Sequence, residues 1–400
     1  MVVPLSVRTP REAERDTWCS GKRGTLNHCL IDPRSLLHHD FGAHHPFKIH
    51  RLGLTYNLLD AYGLVDRPDV TVLQPRMAND AEALSFHTQG YLECLRLADE
   101  GTWTPNLFTH GLGSSDNPVF PGVFDWAMSV AGASIACAEE ILSGRSARAF
   151  NLAGGLHHAM PASASGFCHV NDGVLAIQAL TAAGRRVAYI DIDAHHGDGV
   201  EYAFYRRSDV LTVSIHQTGR TIFPGTGFAY ETGGDEGIGH AVNIPLSPGA
   251  GDDAYERAFS TCVLPAIRAF DPDVLVTQLG ADAILGDVVA NLRLSLRGFE
   301  RCLGHFHSLG LPWLALGGGG YDVGNVVRAW TLAWATILEQ DLPDEIPSDW
   351  MTDAATYDVA VSRLRGPEGY TESPDHVMED LHETLDLLSA RVLASLGRET

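Results

Sequence analysis

The sequence has few of the features that would direct a chain to a membrane, to export or to nucleic acid. No apolar run approaches the roughly 18 residues that a membrane-spanning helix needs. The first residues, MVVPLSVRTPREAERDTW, lack the continuous hydrophobic segment of a secretory signal. Lys and Arg number 28 against 50 Asp and Glu, and the resulting formal charge of -22 argues against a nucleic-acid partner. We therefore expect a cytoplasmic protein with no membrane or nucleic-acid partner.

Cysteine is also scarce and shows no pairing pattern. There are seven cysteines and no CxxC pair. Scattered cysteines of this kind favour reduced, mostly buried thiols over a disulfide framework. They also argue against a structural zinc site built from thiolates. The acidic surplus would attract cationic substrates, although surface acids commonly serve solubility alone.

The remaining pattern is that of a large α/β protein. Four hundred residues with a hydrophobic fraction of 45% suffice for one large domain or two ordinary ones, and no internal repeat is visible. Short apolar runs predict strands at 29–31, 70–73, 150–152, 187–192, 210–215, 274–279 and 313–316. Helical spacing predicts helices at 49–62, 79–98, 123–143, 174–183, 254–269, 296–309, 325–338 and 376–396. Such alternation is typical of an open parallel sheet with helices on both faces, and one domain is the preferred interpretation.

The stretch VAYIDIDAHHGDGVEYAFY, residues 187–205, carries the strongest chemical signal. A buried strand leads directly into Asp191, Asp193, His195 and His196. Carboxylates and imidazoles at the end of a buried strand are costly to desolvate unless something pairs with them. A divalent cation would do so, because ionised Asp and neutral His are its natural ligands. The alternative is a hydrogen-bonded turn rich in Asp and Gly.

A third ligand candidate follows another predicted strand. Ligands of parallel sheets bind at the carboxyl ends of the strands, so the polar loops should converge there. Asp282, in QLGADAILGD, would then join Asp193 and His195. Three mixed nitrogen and oxygen ligands leave a position for water, which is the arrangement of a catalytic zinc site. Such a metal lowers the pKa of its bound water to about 7.

Two adjacent histidines lie in the loop GGLHHAMPASASGFCHVNDG. For His157 and His158 alone, a structural role is the default interpretation. Asp191 and Asp198 remain once the metal ligands are assigned, and they favour a catalytic role. An aspartate behind each histidine would fix its tautomer and supply a general base and a general acid. At the end of this loop, Asp172 is predicted to cap the following helix.

The run GGGGY, residues 317–321, has two interpretations. Four glycines after a strand can cradle a phosphate or a dinucleotide. However, the run is not GxGxxG, the chain has no GK[ST], and no acid follows at the spacing of a dinucleotide-binding fold. We favour a backbone that passes close to the site and presents the Tyr321 hydroxyl as an oxyanion donor. The histidines at 38, 39, 44, 45 and 50 look like a metal tract, but we predict loop or capping roles for them.

Six segments together resemble the histone deacetylase superfamily, most closely its bacterial acetoin-utilisation (AcuC-like) deacetylases. They are DFGAHHPFKIHRLGLTYNLL, GGLHHAMPASASGFCHVND, YIDIDAHHGDGVEYAFY, VSIHQTGRTIFPGTG, LGADAILGD and LGGGGYDVGNVVRAW. The resemblance runs from about residue 29 to 340 and implies the arginase/deacetylase fold, with a central parallel sheet of eight strands flanked by helices on both faces. We divide the chain into an N-terminal extension, 1–25, and one deacetylase domain, 26–400. Within that domain, residues 341–400 form a C-terminal wrap and closing helix.

The resemblance also implies the metals. A zinc ion is expected on Asp193, His195 and Asp282, with Fe²⁺ as the alternative. A structural potassium ion is expected near Asp191, Asp193, His195, Ser214 and Ile215.

The same likeness assigns the catalytic groups. The catalytic imidazoles are those of His157 and His158, paired with Asp191 and Asp198 respectively. Tyr321 matches the tyrosine that stabilises the oxyanion, and its presence argues against an inactive enzyme.

The substrate contacts follow from the resemblance as well. Asp116 matches the rim aspartate that holds the substrate backbone. Phe167 and Phe223 match the aromatic walls of the acyl-lysine tunnel, with Gly166 as a further substrate-binding residue. Arg51 matches the arginine beside the inner acetate channel.

The chain departs from the family pattern at a few positions. His169 precedes VND, where the family often has an aromatic or apolar residue, and Ala281 and Ala283 flank the third ligand. These differences bear on the shape of the tunnel and the preferred acyl group, not on the reaction.

The resemblance implies a zinc-dependent amidohydrolase that removes acetyl groups from lysine side chains of proteins. Acetyl-CoA synthetase is the suggested substrate, in acetoin and acetate metabolism. One alternative is an acetylpolyamine amidohydrolase, with the same chemistry on a small cationic acyl-amine. Another is a non-catalytic module that binds acyl-lysine or metal. An arginase-like enzyme with two manganese ions fits less well, because the ligand set is complete for one metal.

Overall fold

The computed structural model describes residues 27–396, and its centre is one parallel sheet. The strands are β1 (His28–Ile31), β2 (Val70–Leu73), β3 (Arg148–Asn151), β4 (Val187–Asp191), β5 (Val210–Gln217), β6 (Ala241–Leu246), β7 (Val274–Gln278) and β8 (Trp313–Leu316). They lie in the order β2-β1-β3-β8-β7-β4-β5-β6, and all neighbouring pairs are parallel. This confirms the predicted parallel sheet of eight strands. The predicted extension 1–25 lies outside the described residues.

The strand order brings the polar loops together. β4 is buried along its whole length, as its apolar and β-branched run predicts. Its last residue, Asp191, pairs in register with Ser214 of β5 and Gln278 of β7. β7 in turn pairs with β8, and β8 with β3. The carboxyl ends of β3, β8, β7 and β4 are therefore neighbours, and the loops that follow them share one edge of the sheet.

Helices cover both faces of this sheet. Their bounds are α1 (His50–Ala61), α2 (Asp80–Ala83), α3 (Gln89–Asp99), α4 (Asn106–Thr109), α5 (Val123–Leu142), α6 (Asp172–Ala182), α7 (Asp198–Phe204), α8 (Asp252–Ala258), α9 (Leu264–Phe270), α10 (Leu296–Ser308), α11 (Val323–Ile337), α12 (Ser348–Ala354), α13 (Asp375–Leu388) and α14 (Ala394–Leu396). α5 packs against α6, while α11 packs against α1 and α10. Two buried hydrophobic clusters result. In residues 27–396, no helix has the length and apolar character needed to cross a membrane.

The predicted helix 79–98 is wrong in one respect, because the chain forms two helices there. Asn79 and Glu82 form a capping box that begins the short α2. The chain then leaves the helix, and Thr88 caps α3 by accepting a hydrogen bond from the backbone N–H of Tyr91. Local helical spacing continues through this break, but the two N-caps, Asn79 and Thr88, begin two separate helices.

Four elements were not predicted from the sequence, namely β6, α4, α7 and α12. β6 contains Pro245, which is tolerated because β6 lies at the edge of the sheet. α12 lies within the predicted C-terminal wrap, for which only the closing helix was expected. The predicted closing helix is α13, which continues through a π-helical turn, Ser389–Leu393, into α14.

The cysteines follow the expectation where they are described. The six between Cys29 and Cys302 are free and buried. Cys19 lies outside the described residues.

Candidate active site

Three predicted ligands meet at the carboxyl edge of the sheet. Asp193 and His195 follow β4, and Asp282 follows the neighbouring β7. One ligand atom from each side chain lies within 4.8 Å of the others, and all three residues are buried. The Nδ1 atom of His195 is 3.0 Å from Oδ2 of Asp282 and 3.2 Å from Oδ1 of Asp193.

The chemistry of this donor set fits a divalent cation. A single imidazole nitrogen faces two carboxylates, and it can donate only one proton between them. Burial and the nearby Asp193 raise the pKa of Asp282 to about 7. A cation between the three groups would relieve both the repulsion and the desolvation. Among residues 27–396, these three are the one group of His, Cys, Asp or Glu side chains placed closely enough to hold a metal ion.

Each of the two adjacent histidines is hydrogen-bonded to its own aspartate. Nδ1 of His157 donates to Oδ2 of Asp191 over 2.8 Å, and Nδ1 of His158 donates to Oδ1 of Asp198 over 2.7 Å. These bonds leave both Nε2 atoms facing each other at 3.0 Å. Nε2 of His157 also lies 3.9 Å from Oδ1 of Asp193. The two imidazoles therefore lie beside the ligand cluster. In each, the hydrogen bond from Nδ1 to the aspartate fixes the tautomer.

The surroundings push the pKa values of the two imidazoles apart. Burial lowers the pKa of His157, but the carboxylates of Asp191 and Asp193 outweigh it and raise the pKa to about 9. Burial and the adjacent His157 lower the pKa of His158 to about 4, against the opposing effect of Asp198. At neutral pH, His157 is thus the charged member of the pair. His158 is neutral, with an Nε2 lone pair able to accept a proton.

Asp172 supports the histidine loop and does not cap α6, so that prediction was wrong. Asn171 is the residue that caps the helix. The Asp172 carboxylate accepts hydrogen bonds from the backbone N–H groups of Gly155, at 3.0 and 3.1 Å, and Leu156, at 2.8 Å. It also accepts the hydroxyl of Ser134 at 2.6 Å. These donors lie 16 to 38 residues away, beyond the reach of a local capping rule.

Two supporting residues in the strands were not predicted. The side-chain amide of Gln278, the last residue of β7, donates to Oδ2 of Asp193 at 2.7 Å and to the carbonyl of Gly155 at 3.2 Å. The hydroxyl of Tyr189, in β4, donates to Oδ2 of Asp191 at 2.7 Å. Polar side chains inside fully buried strands are the signal that would have identified them.

Tyr321 lies in the cavity that the histidines enclose. It lines this narrow cavity together with His157, His158, Asp193 and Phe167. Burial raises the pKa of the phenol well above its usual range, and the carboxylates of Asp282 and Asp193 raise it further. The phenol is therefore protonated at any working pH and can donate a hydrogen bond.

The two phenylalanines predicted as tunnel walls each pack against a residue of the cavity. The Phe167 ring meets the Tyr321 ring edge-on with centroids 5.6 Å apart, and the Phe223 ring meets His158 in the same way at 4.9 Å. Gly166 has a φ of +51°, and a Cβ atom there would lie 2.4 Å from Cδ2 of His158. Only glycine therefore fits between the histidine and the cavity wall.

Arg51 is buried behind the glycine-rich loop. Its guanidinium donates to the carbonyls of Gly320, at 2.7 Å, and Gly318, at 2.8 Å. The rings of Phe47 and Trp330 cover its charge, with centroids 4.0 and 5.0 Å away. Burial lowers the pKa of Arg51 to about 10, which leaves the group charged at neutral pH.

Asp116 is exposed on the loop before α5. Nδ1 of His45 accepts a hydrogen bond from the backbone N–H of Phe47, so the ring proton of His45 lies on Nε2. Nε2 then donates to the carbonyl of Asp116 at 3.2 Å. The His45 ring also packs against Phe167, with centroids 4.5 Å apart. Among the five histidines at 38–50, His45 thus links the loop of Asp116 to the cavity wall.

The expected potassium ligands are brought near one another by the sheet. Ser214 and Ile215 lie on β5, and Ser214 pairs in register with Asp191 of β4. The hydroxyl of Ser214 is 2.8 Å from Nδ1 of His216. The potassium site itself stays a prediction.

The sequence matches one protein family over most of its length. A family described as "Histone deacetylase domain" matches residues 45–337. "Acetoin utilization protein AcuC" of Bacillus subtilis (strain 168) is 40% identical over 319 residues, which are 78% of this chain and 82% of that protein. "Histone deacetylase 9" of Arabidopsis thaliana is 39% identical over 83% of this chain and 78% of that protein. "Histone deacetylase 1" of Homo sapiens is 40% identical, but the match covers 77% of this chain and only 64% of that protein.

Solved structures agree with the sequence matches. The crystal structure of an HDAC homologue from Aquifex aeolicus superposes with a TM-score of 0.83 at 31% identity, covering 90% of this chain and all of that one. An HDAC homologue complexed with SAHA gives a TM-score of 0.82 at 30% identity. This likeness confirms the predicted arginase/deacetylase fold.

Proposed function

The chain belongs to the histone deacetylase family, a family of amide hydrolases, and on this premise we propose that it removes acetyl groups from lysine side chains of proteins. One observation carries the proposal. A single cavity edge gathers an Asp-His-Asp ligand set, two imidazoles backed by aspartates, and a protonated phenol. Zinc, or Fe²⁺ in its place, would be held by Asp193, His195 and Asp282. Such a metal polarises a bound carbonyl and lowers the pKa of bound water.

The two histidines have different roles, and His158 carries out both proton transfers. Nε2 of His158 is the general base that takes a proton from the attacking water, because its imidazole is neutral and lines the cavity. The charged His157 stabilises the negative charge that develops nearby. His158 then gives the proton to the lysine nitrogen as the carbon–nitrogen bond breaks. The products are acetate and the free lysine amine.

Tyr321 and the cavity walls bind and orient the substrate. The phenol donates a hydrogen bond to the carbonyl oxygen as it becomes an oxyanion. Phe167 and Phe223 flank the methylene groups of the acyl-lysine side chain. Asp116 accepts hydrogen bonds from the substrate backbone at the rim, and Arg51 borders the path by which acetate leaves.

The physiological setting rests on the acetoin-utilisation relative. We infer that acetyl-CoA synthetase is a natural substrate and that the enzyme acts in the cytoplasm, in acetate and acetoin metabolism. A structural potassium ion near Asp191, Asp193, His195, Ser214 and Ile215 would offset the carboxylate charge below the zinc ligands.

Release of acetate from acetyl-lysine peptides tests the assignment. Tyr321→Phe should lower kcat by about 10²–10³ while leaving the fold intact, because it removes one oxyanion donor. Tyr357→Phe is the matched control, since Tyr357 is 48% exposed and lies outside the cavity. Equal rates for wild type and Tyr321→Phe would refute the assigned role.

The acidic surplus is equally compatible with one rival substrate class. A charge of -22 would attract a small cationic acyl-amine as readily as a lysine-rich peptide. Turnover of acetylputrescine well above that of acetylated peptides would identify an acetylpolyamine amidohydrolase. Inactivity on every acyl-amine at full zinc occupancy would instead indicate a non-catalytic binding module.

A further inference from the structure

The loop that carries Tyr321 has little regular structure of its own. It follows β8 as four glycines, of which Gly318 and Gly320 have φ values of +134° and +126°. α11 begins only at Val323, with Asp322 as its N-cap. A glycine-rich segment has many backbone conformations available to it. The position of the phenol therefore depends on what the loop's backbone groups bind.

The first half of this loop is held from several sides. Arg51 binds the carbonyls of Gly318 and Gly320. The N–H of Gly319 donates to Oδ2 of Asp193 at 2.8 Å, and its carbonyl accepts the N–H of Ala281 at 3.0 Å. These contacts fix the three residues before Tyr321, but none of them reaches the N–H of Tyr321.

That N–H is bound by Asp287, a half-buried residue five positions after the ligand Asp282. Oδ2 of Asp287 accepts the N–H of Tyr321 at 2.7 Å and that of Asp322 at 3.1 Å. Oδ1 accepts the N–H of Val289 at 2.9 Å. One carboxylate thus joins the loop after β7 to the loop after β8. Its negative charge also stands at the start of α11, where the helix dipole favours an anion.

We propose that Asp287 is a positioning residue for the Tyr321 phenol, acting through the backbone of Tyr321 and Asp322. The inference rests on the proposed function, in which that phenol binds the oxyanion. Electrostatic stabilisation of this kind needs a donor that is already in place, and a displacement of about 1 Å can cost as much as 10²-fold in rate.

Steady-state kinetics give the first test. Asp287→Ala should lower kcat on an acetyl-lysine peptide by about tenfold to a hundredfold, with KM changed less than about twofold, because the lost contact matters mainly in the transition state. Asp287→Asn should lose less, because its amide oxygen still accepts hydrogen bonds. A trifluoroacetyl-lysine peptide should show only a few-fold loss, since its fluorines stabilise the oxyanion themselves and reduce the need for the phenol.

Asp253→Ala serves as the matched control. Oδ1 of Asp253 also accepts two backbone N–H groups, those of Ala254 and Ser373, but it does so away from the cavity. Its replacement removes a comparable contact between two segments. The ratio of the rates on the acetyl-lysine and trifluoroacetyl-lysine peptides should therefore stay as in wild type. Equal losses on both peptides in Asp287→Ala would overturn the proposal, because they would indicate general damage.

A double-mutant cycle gives the second test. In a Tyr321→Phe background, Asp287→Ala should change kcat by less than about twofold, because the group it positions is gone. Fully additive losses would show that Asp287 acts by some other route, and would reject the proposal.

A measurement without turnover separates this inference from the proposed function. A 3-fluorotyrosine at position 321 gives a ¹⁹F NMR signal whose chemical shift and line width depend on the local environment of the ring. We expect one sharp signal in wild type and in Asp253→Ala, and a shifted or broadened one in Asp287→Ala. If the wild type released no acetate, the proposed function would fail while this measurement still decided the role of Asp287. An unchanged signal in Asp287→Ala would refute it.

Discussion

Replacing Asp172 by alanine should destabilise the protein strongly, because several buried donors share this one carboxylate. The substitution removes the acceptor of the Gly155 and Leu156 N–H groups and of the Ser134 hydroxyl. An unpaired buried donor costs about 1–3 kcal/mol. The oxygen of the Ser134 hydroxyl already accepts a hydrogen bond from the side-chain amide of Asn151 at 2.9 Å. The hydroxyl can rotate towards another acceptor. The two N–H groups cannot, so we expect a loss of about 3–5 kcal/mol in the free energy of unfolding.

Asparagine at the same position separates hydrogen bonding from packing. Its oxygen can face the two N–H groups while its NH₂ donates to the Ser134 hydroxyl. Asp172→Asn should therefore cost only about 1 kcal/mol, as should Ser134→Ala, which removes a single bond.

Equilibrium unfolding in urea measures these differences, with every variant kept free of metal so that binding adds no stability. Hydrogen exchange in the segment 153–158 should also become faster in Asp172→Ala, because the loop before His157 is released. A free energy of unfolding within 1 kcal/mol of wild type would refute the reasoning about the shared acceptor.

Two further predictions concern the metal site and the buried imidazoles. Zinc should raise the melting temperature of wild type, and Asp282→Ala should abolish most of that rise, since it removes one of three ligands; an equal rise in both would disprove the ligand assignment. Burial lowers the pKa of His169 to about 4. Between about pH 4 and 6.5, His169 is therefore protonated in the unfolded chain but neutral in the folded chain. Stability contributed by a neutral His169 is complete above about pH 6.5 and is lost as the pH falls towards 4. His169→Phe should reduce the acid slope of the unfolding free energy by about one proton, and an unchanged slope would contradict this.

Local sequence pattern was enough to find most of the sheet and the main chemical groups. The apolar runs of β4 and β8 are buried strands. Burial of an apolar side chain is favourable whichever residues it packs against, so the run alone predicts it. Asp193 and His195 could be proposed together because they follow the same strand. A parallel sheet then requires the loops of neighbouring strands to meet, which made Asp282 a reasonable third ligand.

The sequence was less informative wherever a side chain's partner lies far along the chain. The Asp172 carboxylate looked like a helix cap, yet it binds a loop 16–17 residues earlier. Gln278 gave no local sign that it would bind Asp193, which is 85 positions away. β6 was missed because its pairing with β5 stabilises a strand that Pro245 argues against locally.

By itself, then, the sequence determined the type of fold, the order of most elements and the residue types available for catalysis, because hydrophobic burial and turn chemistry act over short stretches. Only the tertiary structure decided which side chains support those residues and how the two imidazoles differ in charge. Hydrogen bonds and electrostatic shifts depend on distances across the fold. Those distances are set by the packing of the whole sheet and its helices rather than by any one segment.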